Sequence, residues 1–308
     1  MQSTDIITVT GATAGGKTAL AVSLAYEIGA EIISADSRQV YRGMDIGTGK
    51  DLSEYVINGV SVPYHLIDVV DAGYRYNVFE YQRDFLEVYQ SIKERGKKIV
   101  LCGGSGMYIE AVINGYDLLP VPANEELRQE LERKTHEELI AILSGIKRLH
   151  NKTDTDSKKR TIRAIEIEYY LKNNDMDRRQ YPAINNVYFE LRFDRETRRQ
   201  KITDRLFYRL KNGMVEEVEG LMKKGLTLDD MLFYGLEYKY IGLYLCNKLT
   251  YGDMVEKLNI AIHQFAKRQM TWFRGMERKG AVIHVIDGQK SMSEKIEEIM
   301  TEMNLSAT

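Results

Sequence analysis

Apolar positions in the first 120 residues of the chain alternate between two periods. Ile6–Thr10 is a β-branched run leading into glycine, Glu31–Ser34 is a second short strand pattern, and Ile99–Cys102 is a third, closed by Gly103-Gly104. Between the first two, Leu20, Leu24 and Ile28 mark one face of a helix over Thr18–Ile28. Phe79, Phe85, Leu86, Tyr89 and Ile92 do the same over Phe79–Glu94. Strand patterns alternating with helical ones predict an α/β fold with a parallel sheet flanked by helices.

After Gly115 the pattern changes. Pro120 and Pro122 bracket a linker, and Asn124 stands where a helix cap is wanted. Glu125 and Glu126 follow in the first turn, the charge sign favoured by the helix dipole. Leu127, Leu131, Leu139, Ile140 and Leu143 continue at helical spacing, and Asp156 or Ser157 is placed to cap a second helix running to about Leu171. Tyr188–Phe193 reads as a returning strand, and Arg195 to Arg278 is mostly helical. Trp272, which follows Met254, Leu258, Ile262 and Phe265, is expected to pack in the core, as large aromatic side chains usually do. The division expected is an α/β core over residues 1–122 and 186–308, with an inserted helical domain over 123–185.

Composition sharpens the picture by exclusion. The chain has 308 residues, 44% hydrophobic and 29% charged, a balance suited to a sizeable core. No run approaches the roughly 18 apolar residues of a membrane span, so no membrane partner is expected. Cys102 and Cys246 form no paired motif and the five histidines are scattered, which argues against a disulfide framework or a zinc cluster. The N-terminus lacks the basic start and apolar stretch of a signal peptide; cytoplasm is the expected compartment. Nothing in the pattern demands more than a monomer. Net charge is −2, yet residues 151–211 carry 16 Lys and Arg against 10 Asp and Glu, while residues 1–150 carry 15 against 21. A locally basic stretch in an acidic chain is where a phosphate-rich partner would dock; on charge alone, a solvated helical face explains it equally well.

The strongest local signal is Gly11-Ala12-Thr13-Ala14-Gly15-Gly16-Lys17-Thr18, a G-x-x-x-x-G-K-[ST] phosphate loop between a strand and an amphipathic helix. Its glycines let successive backbone N–H groups face inward, and the helix start adds its positive end. Lys17 supplies a mobile cation, and the Thr18 hydroxyl is placed to reach a Mg²⁺ shared with the phosphates. The strand Ile99–Leu101 runs into Cys102-Gly103-Gly104 with no acid, which weakens a motor or switch ATPase reading. Asp36, just past the second strand, falls at the end of the sheet where active crevices form; a general base, a group near Mg²⁺ and a turn cap all remain open for it.

Ser34 to Thr48 (SADSRQVYRGMDIGT) closely resembles the segment that follows the phosphate loop in tRNA dimethylallyltransferases. So do His65-Leu-Ile-Asp68, Gly103-Gly104-Ser105-Gly106-Met107-Tyr108, Arg163-Ala164-Ile165-Glu166 and Ala266 to Arg274 (AKRQMTWFR), in the family's order and spacing. The resemblance implies that the loop holds the diphosphate of dimethylallyl diphosphate with Mg²⁺ near Thr18. The acceptor is then the N6 amino group of the adenine immediately 3′ of the anticodon, flipped out as base-modifying enzymes require. Asp36 takes the amino proton, and Lys17, Thr18 and Ser105 belong with it among the catalytic residues. Carried over as tRNA contacts are Asp36, Ser37, Arg38, Gln39, Ser105, Arg128, Lys159, Arg160, Thr161, Ile162 and Arg163. Independently of the family, Lys159 and Arg163 share a helix face at i, i+4 inside the basic stretch.

The chain departs from the family pattern at Ala12, where proline is usual, and at Ser105, where threonine is usual. Leu232 replaces a polar residue, and Ile262-His263 replaces Thr-Arg. Two alternatives compete: an adenylate isopentenyltransferase, for which a basic insertion would be idle, and a nucleoside-type kinase, to which nothing outside the phosphate loop is similar.

Overall fold

The computed structural model describes residues 4–149, 153–174 and 181–307. Two compact units divide the chain: Met1–Tyr116 with Pro182–Thr308, and Asp117–Tyr181. The inserted unit thus begins before Pro120 and Pro122 and ends before the expected 185. The two prolines belong to it rather than marking its edge.

The large unit is built on six parallel strands: β1 (Ile6–Gly11), β2 (Glu31–Ser34), β3 (Tyr64–His65), β4 (Ile99–Cys102), β5 (Asn186–Arg192) and β6 (Ile283–Asp287). Their order across the sheet is β6-β5-β1-β4-β2-β3. Strand β1 is central and wholly buried, with Ile6 opposite Ile99 on one side and Asn186 on the other. Alternation along the strands feeds two cores. Ile7, Val9, Ile32 and Val100 pack with Leu20 and Leu24 of α1 (Lys17–Ile28). Ile6, Ile33 and Leu101 pack with Phe85 of α2 (Val78–Glu94) and Ile109 of α3 (Gly106–Ile113).

The small unit is helical: α4 (Glu125–Glu132), α5 (His136–Ile146) and α6 (Lys158–Asn173) enclose Leu131, Leu139, Leu143, Ile162 and Ile165. Asn124 caps α4 by accepting the Leu127 N–H. The leucine series is broken at Thr135, whose side chain and Glu138 form a reciprocal capping box that starts α5. Ser157 holds the N-cap position of α6 without a side-chain cap bond.

The return segment supplies α7 (Arg195–Lys211), α8 (Met214–Lys223), α9 (Leu228–Tyr234), α10 (Leu236–Leu245) and α11 (Tyr251–Arg278), then β6 and α12 (Met292–Ala307). No helix of the described residues is long and apolar enough to cross a membrane.

Candidate active site

The phosphate loop joins β1 to α1 at the centre of the sheet. Ala14 (φ 61°) and Gly16 (φ 75°) both take left-handed backbone, which turns amides toward the loop's hollow. Lys17 Nζ donates to the Ala12 carbonyl at 2.9 Å, and burial holds its pKa below the ordinary lysine value. Two side chains from distant helices complete the loop. The Thr13 N–H donates to Gln269 Oε1 at 2.9 Å, and Arg205 donates from Nη2 to the Thr13 hydroxyl. Burial and the neighbouring Arg209 push the Arg205 pKa down to about 10, which leaves it charged at neutral pH.

A second loop follows β4. Gln269 Nε2 donates to the Gly104 carbonyl at 2.9 Å, so one amide spans both loops. A Cβ on Gly104 would lie 2.4 Å from Gln269 Nε2, and one on Gly106 would lie 2.2 Å from the Trp272 ring; these glycines are required by close approach. Ser105 Oγ accepts the Ser37 N–H at 3.1 Å and lies 3.3 Å from the Ser37 hydroxyl. The segment after β2 is thereby tied to the segment after β4. Asp36 Oδ1 accepts the Arg38 N–H at 2.8 Å, an Asx-type turn that fixes the carboxylate. Gln39 turns inward, with Oε1 accepting from Ser34 Oγ at 3.1 Å and Nε2 donating to the Gly49 carbonyl at 3.1 Å.

These segments enclose a cavity of about 520 Å³, within the range of small-molecule sites. Thr13, Asp36, Ser37, Arg38 and Ser105 line it, together with Arg205, Arg209, Glu237, Arg268, Gln269 and Trp272. The Glu237 carboxyl is pushed above its ordinary pKa by burial. Trp272 is 37% exposed, so the expected core packing is overturned: its edge rests on Gly106, where no side chain intervenes, and its face borders the cavity. Of the family departures, Ile262 lines the cavity; Leu232 is exposed, and His263 pairs with Thr203 Oγ1 at 3.2 Å. Neither of the last two is among the lining residues.

Among the described residues no group of three His, Cys, Asp or Glu side chains gathers into a metal cage. Mg²⁺ does not require one, since it takes one or two protein oxygens beside phosphate and water. The Thr18 hydroxyl, in the first turn of α1 and without a hydrogen-bond partner among the described residues, suits that donor set.

In the small unit the carried-over positions separate into two kinds. Lys159 and Arg160 are exposed, Arg160 pairing only with Asp156 at 2.8 Å. Arg128 and Arg163 both bind Glu166, and Arg163 also donates to the Val121 carbonyl at 2.7 Å. Thr161 and Ile162 are 0% and 4% exposed. Their side chains build this unit's interior and are not presented as contacts. The basic stretch is also redistributed. Residues 151–181 hold eight cationic against six acidic side chains, whereas residues 182–211, entering α7 of the large unit, hold eight against four. Arg205, Arg209, Glu237 and Gln269 were given no site role in the sequence; charged residues at helical spacing read there as solvated faces.

A phosphate loop, a fixed carboxylate and four arginines, of which Arg209 is buried, meet around one cavity, the arrangement of a P-loop transferase. The profile of the IPP transferase family matches residues 39–276, and the chain belongs to that family. It is 58% identical to tRNA dimethylallyltransferase 2 of Bacteroides fragilis over 292 residues, 95% of each chain. It is 56% identical to tRNA dimethylallyltransferase 1 of Parabacteroides distasonis over 304 residues, 99% of each. The crystal structure of the full-length tRNA isopentenylpyrophosphate transferase of Bacillus halodurans superposes with a TM-score of 0.71 at 32% identity, covering 98% of this chain and 95% of that one.

Proposed function

We propose that the protein transfers the dimethylallyl group of dimethylallyl diphosphate to N6 of the adenine immediately 3′ of the anticodon in tRNA, acting as a cytoplasmic monomer. The observation that carries this is the single cavity into which the phosphate loop brings Thr13 and the β2 end brings Asp36. N6 attacks C1 of the allyl group. The C1–O bond breaks with its electron pair on the leaving diphosphate, and the N6 proton passes to the Asp36 carboxylate. The Arg38 amide keeps that carboxylate turned toward its task. Charge building on the diphosphate is met by Lys17, Arg205 and the loop amides where it develops. The Thr18 hydroxyl would hold a Mg²⁺, which would supply additional positive charge there. Ser105 serves by locking Ser37 beside Asp36. On the small unit, Lys159 and Arg160 are the contacts proposed for anticodon-stem phosphates, which position without specifying. Arg128 and Arg163 hold that surface together through Glu166.

The test is transfer of labelled dimethylallyl offered side by side to an unmodified anticodon stem-loop and to adenosine monophosphate, with wild type and Asp36→Asn. Label on RNA alone, lost in Asp36→Asn with RNA binding retained, is expected. Label on the nucleotide alone assigns the chain to adenylate prenylation, and normal single-turnover chemistry in Asp36→Asn removes the base.

A further inference from the structure

The N-terminal turns of α7 carry more cationic than acidic side chains, although Asp194 caps the helix and Glu196 lies in its first turn. Arg195, Arg198 and Arg199 occupy the first five positions, where the macrodipole favours acids and disfavours cations. Across from them stands Arg274 of α11. Arg195, Arg199 and Arg274 are exposed and Arg198 is half-buried. None of the four side chains has an ion-pair or hydrogen-bond partner among the described residues. Glu196 stands in the same first turn and Glu277 beside Arg274, while two other nearby acids are committed elsewhere. Asp194 accepts the Thr197 N–H at 2.9 Å and a Gln289 amide at 3.1 Å, and Glu190 is taken by Arg192. Crowding is felt within the cluster: after burial, the charges of Arg195 and Arg274 hold Arg198 below the ordinary arginine pKa. The same field reaches His263, lowered by burial and then by Arg199 and Arg198. Some surface cations of this unit, such as Arg42 with Asp71 and Lys290 with Glu298, do have acidic partners. A cluster that opposes its helix dipole and repels itself is explained by an external anion.

The cluster is continuous with the cavity. Arg198, Arg205 and Arg209 fall at i, i+7 and i+11 on α7, one stripe of the helix, and the latter two line the cavity. We infer that the Arg195, Arg198, Arg199 and Arg274 surface binds the phosphodiester backbone of the RNA substrate, outside the nucleotide that enters the cavity. Guanidinium groups suit this partner because their planar fork takes phosphate oxygens in pairs. A surface running on from the donor site along α7 would hold a polyanion threaded past that site. This inference rests on RNA being the acceptor, and it places a phosphate-binding surface on the core itself in addition to the inserted unit.

The experiment compares wild type, Arg195→Gln/Arg199→Gln/Arg274→Gln and the corresponding triple lysine variant. Binding of labelled full-length tRNA transcript and KM for that RNA are measured from low to high salt. The glutamine variant is expected to raise the RNA KM on the order of tenfold at low salt and to reduce the log–log salt slope by about 2–3, roughly one per lost phosphate contact. The KM for dimethylallyl diphosphate should not follow, and the lysine variant should recover most of the slope. An RNA affinity and slope equal to wild type in an enzyme that prenylates RNA would overturn the surface and assign it to another acidic partner, while leaving the proposed activity standing. Failure of wild type itself to bind and prenylate RNA would remove the activity and the surface together.

Discussion

Gln269 is one side chain on which two loops depend. Its oxygen takes the Thr13 amide and its nitrogen serves Gly104, both at 2.9 Å. Gln269 is 7% exposed, and its bond to the Gly104 carbonyl is buried while that from the Thr13 amide is partly so. Replacing it by leucine keeps the volume and leaves a part-buried donor and a buried acceptor unpaired, each costing about 1–3 kcal/mol. Gln269→Leu is therefore expected to raise the KM for dimethylallyl diphosphate on the order of tenfold or more, since each 1.4 kcal/mol is tenfold. Steady-state kinetics at saturating RNA reads this directly; an unchanged donor KM would mean that the loop keeps its shape without the bridge. The sequence contains this glutamine inside a recognisable block, but its role was not legible there. Bridging is a property of two loops more than 160 residues away in the chain. The place of Asp36 at the cavity was legible because the end of β2 opens there, and the roles proposed for Lys17 and Thr18 come from the local chemistry of their loop. Thr161 and Ile162 were carried over as contacts although the apolar spacing of their own helix turns them inward.

At the scale of elements, the edge of the sheet is held by charge. Strand β3 is two residues long, and its His65 Nε2 lies 2.7 Å from Glu31 Oε2 on β2, which also accepts from Arg95 at 2.6 Å. Burial alone would raise the Glu31 pKa; hydrogen bonds from Arg95 and His65 outweigh it and hold the carboxyl below its ordinary 4.5. A lowered carboxyl pKa stabilises the fold above the unfolded value, and that stability is lost as pH falls through the folded one. Glu31→Gln is expected to cost about 1–2 kcal/mol near neutral pH, discounted because Arg95 is half exposed. The gap to wild type should close as pH drops below the carboxylate range. Urea midpoints followed from about pH 7 down to below the titration of the folded carboxyl check both arms; a gap that stays constant would locate the effect in shape rather than charge. The elements themselves were legible where burial is complete. Strands β1, β2 and β4 and helices α1 and α2 were read to within a residue or so, because their apolar runs have one dominant period. Strand β6 was not, since only Ile286 of its five residues is buried. The α4–α5 break was also hidden: Thr135 and Glu138 interrupt the backbone while the leucine spacing runs on.

The whole molecule distributes its charge differently from its sequence. The basic stretch reads as one region along the chain, but the boundary between the two units falls inside it. Most of its surplus belongs to α7 of the large unit, and a reading confined to the insertion would miss it. The fold class and the presence of an inserted helical unit were legible from the change of period after Gly115. The cavity was not, because its walls come from α7, α10 and α11 as well as from the three strand ends. Those helices meet through tertiary packing, with Ile202 and Leu206 of α7, Tyr238 and Ile241 of α10 and Met254, Leu258 and Ile262 of α11 in one core.

The chain contains a single tryptophan, and Trp272 stands on the wall of the cavity with its indole edge against Gly106. The protein's only strong intrinsic fluorophore thus stands beside the cavity proposed for the donor, 37% exposed. Dimethylallyl diphosphate bound there would displace water from the ring and bring an apolar chain near it. A blue shift of the emission on titration with the unlabelled donor, absent with inorganic phosphate, is the expected signal. An emission blind to the donor would place the allyl group in a part of the cavity away from Trp272.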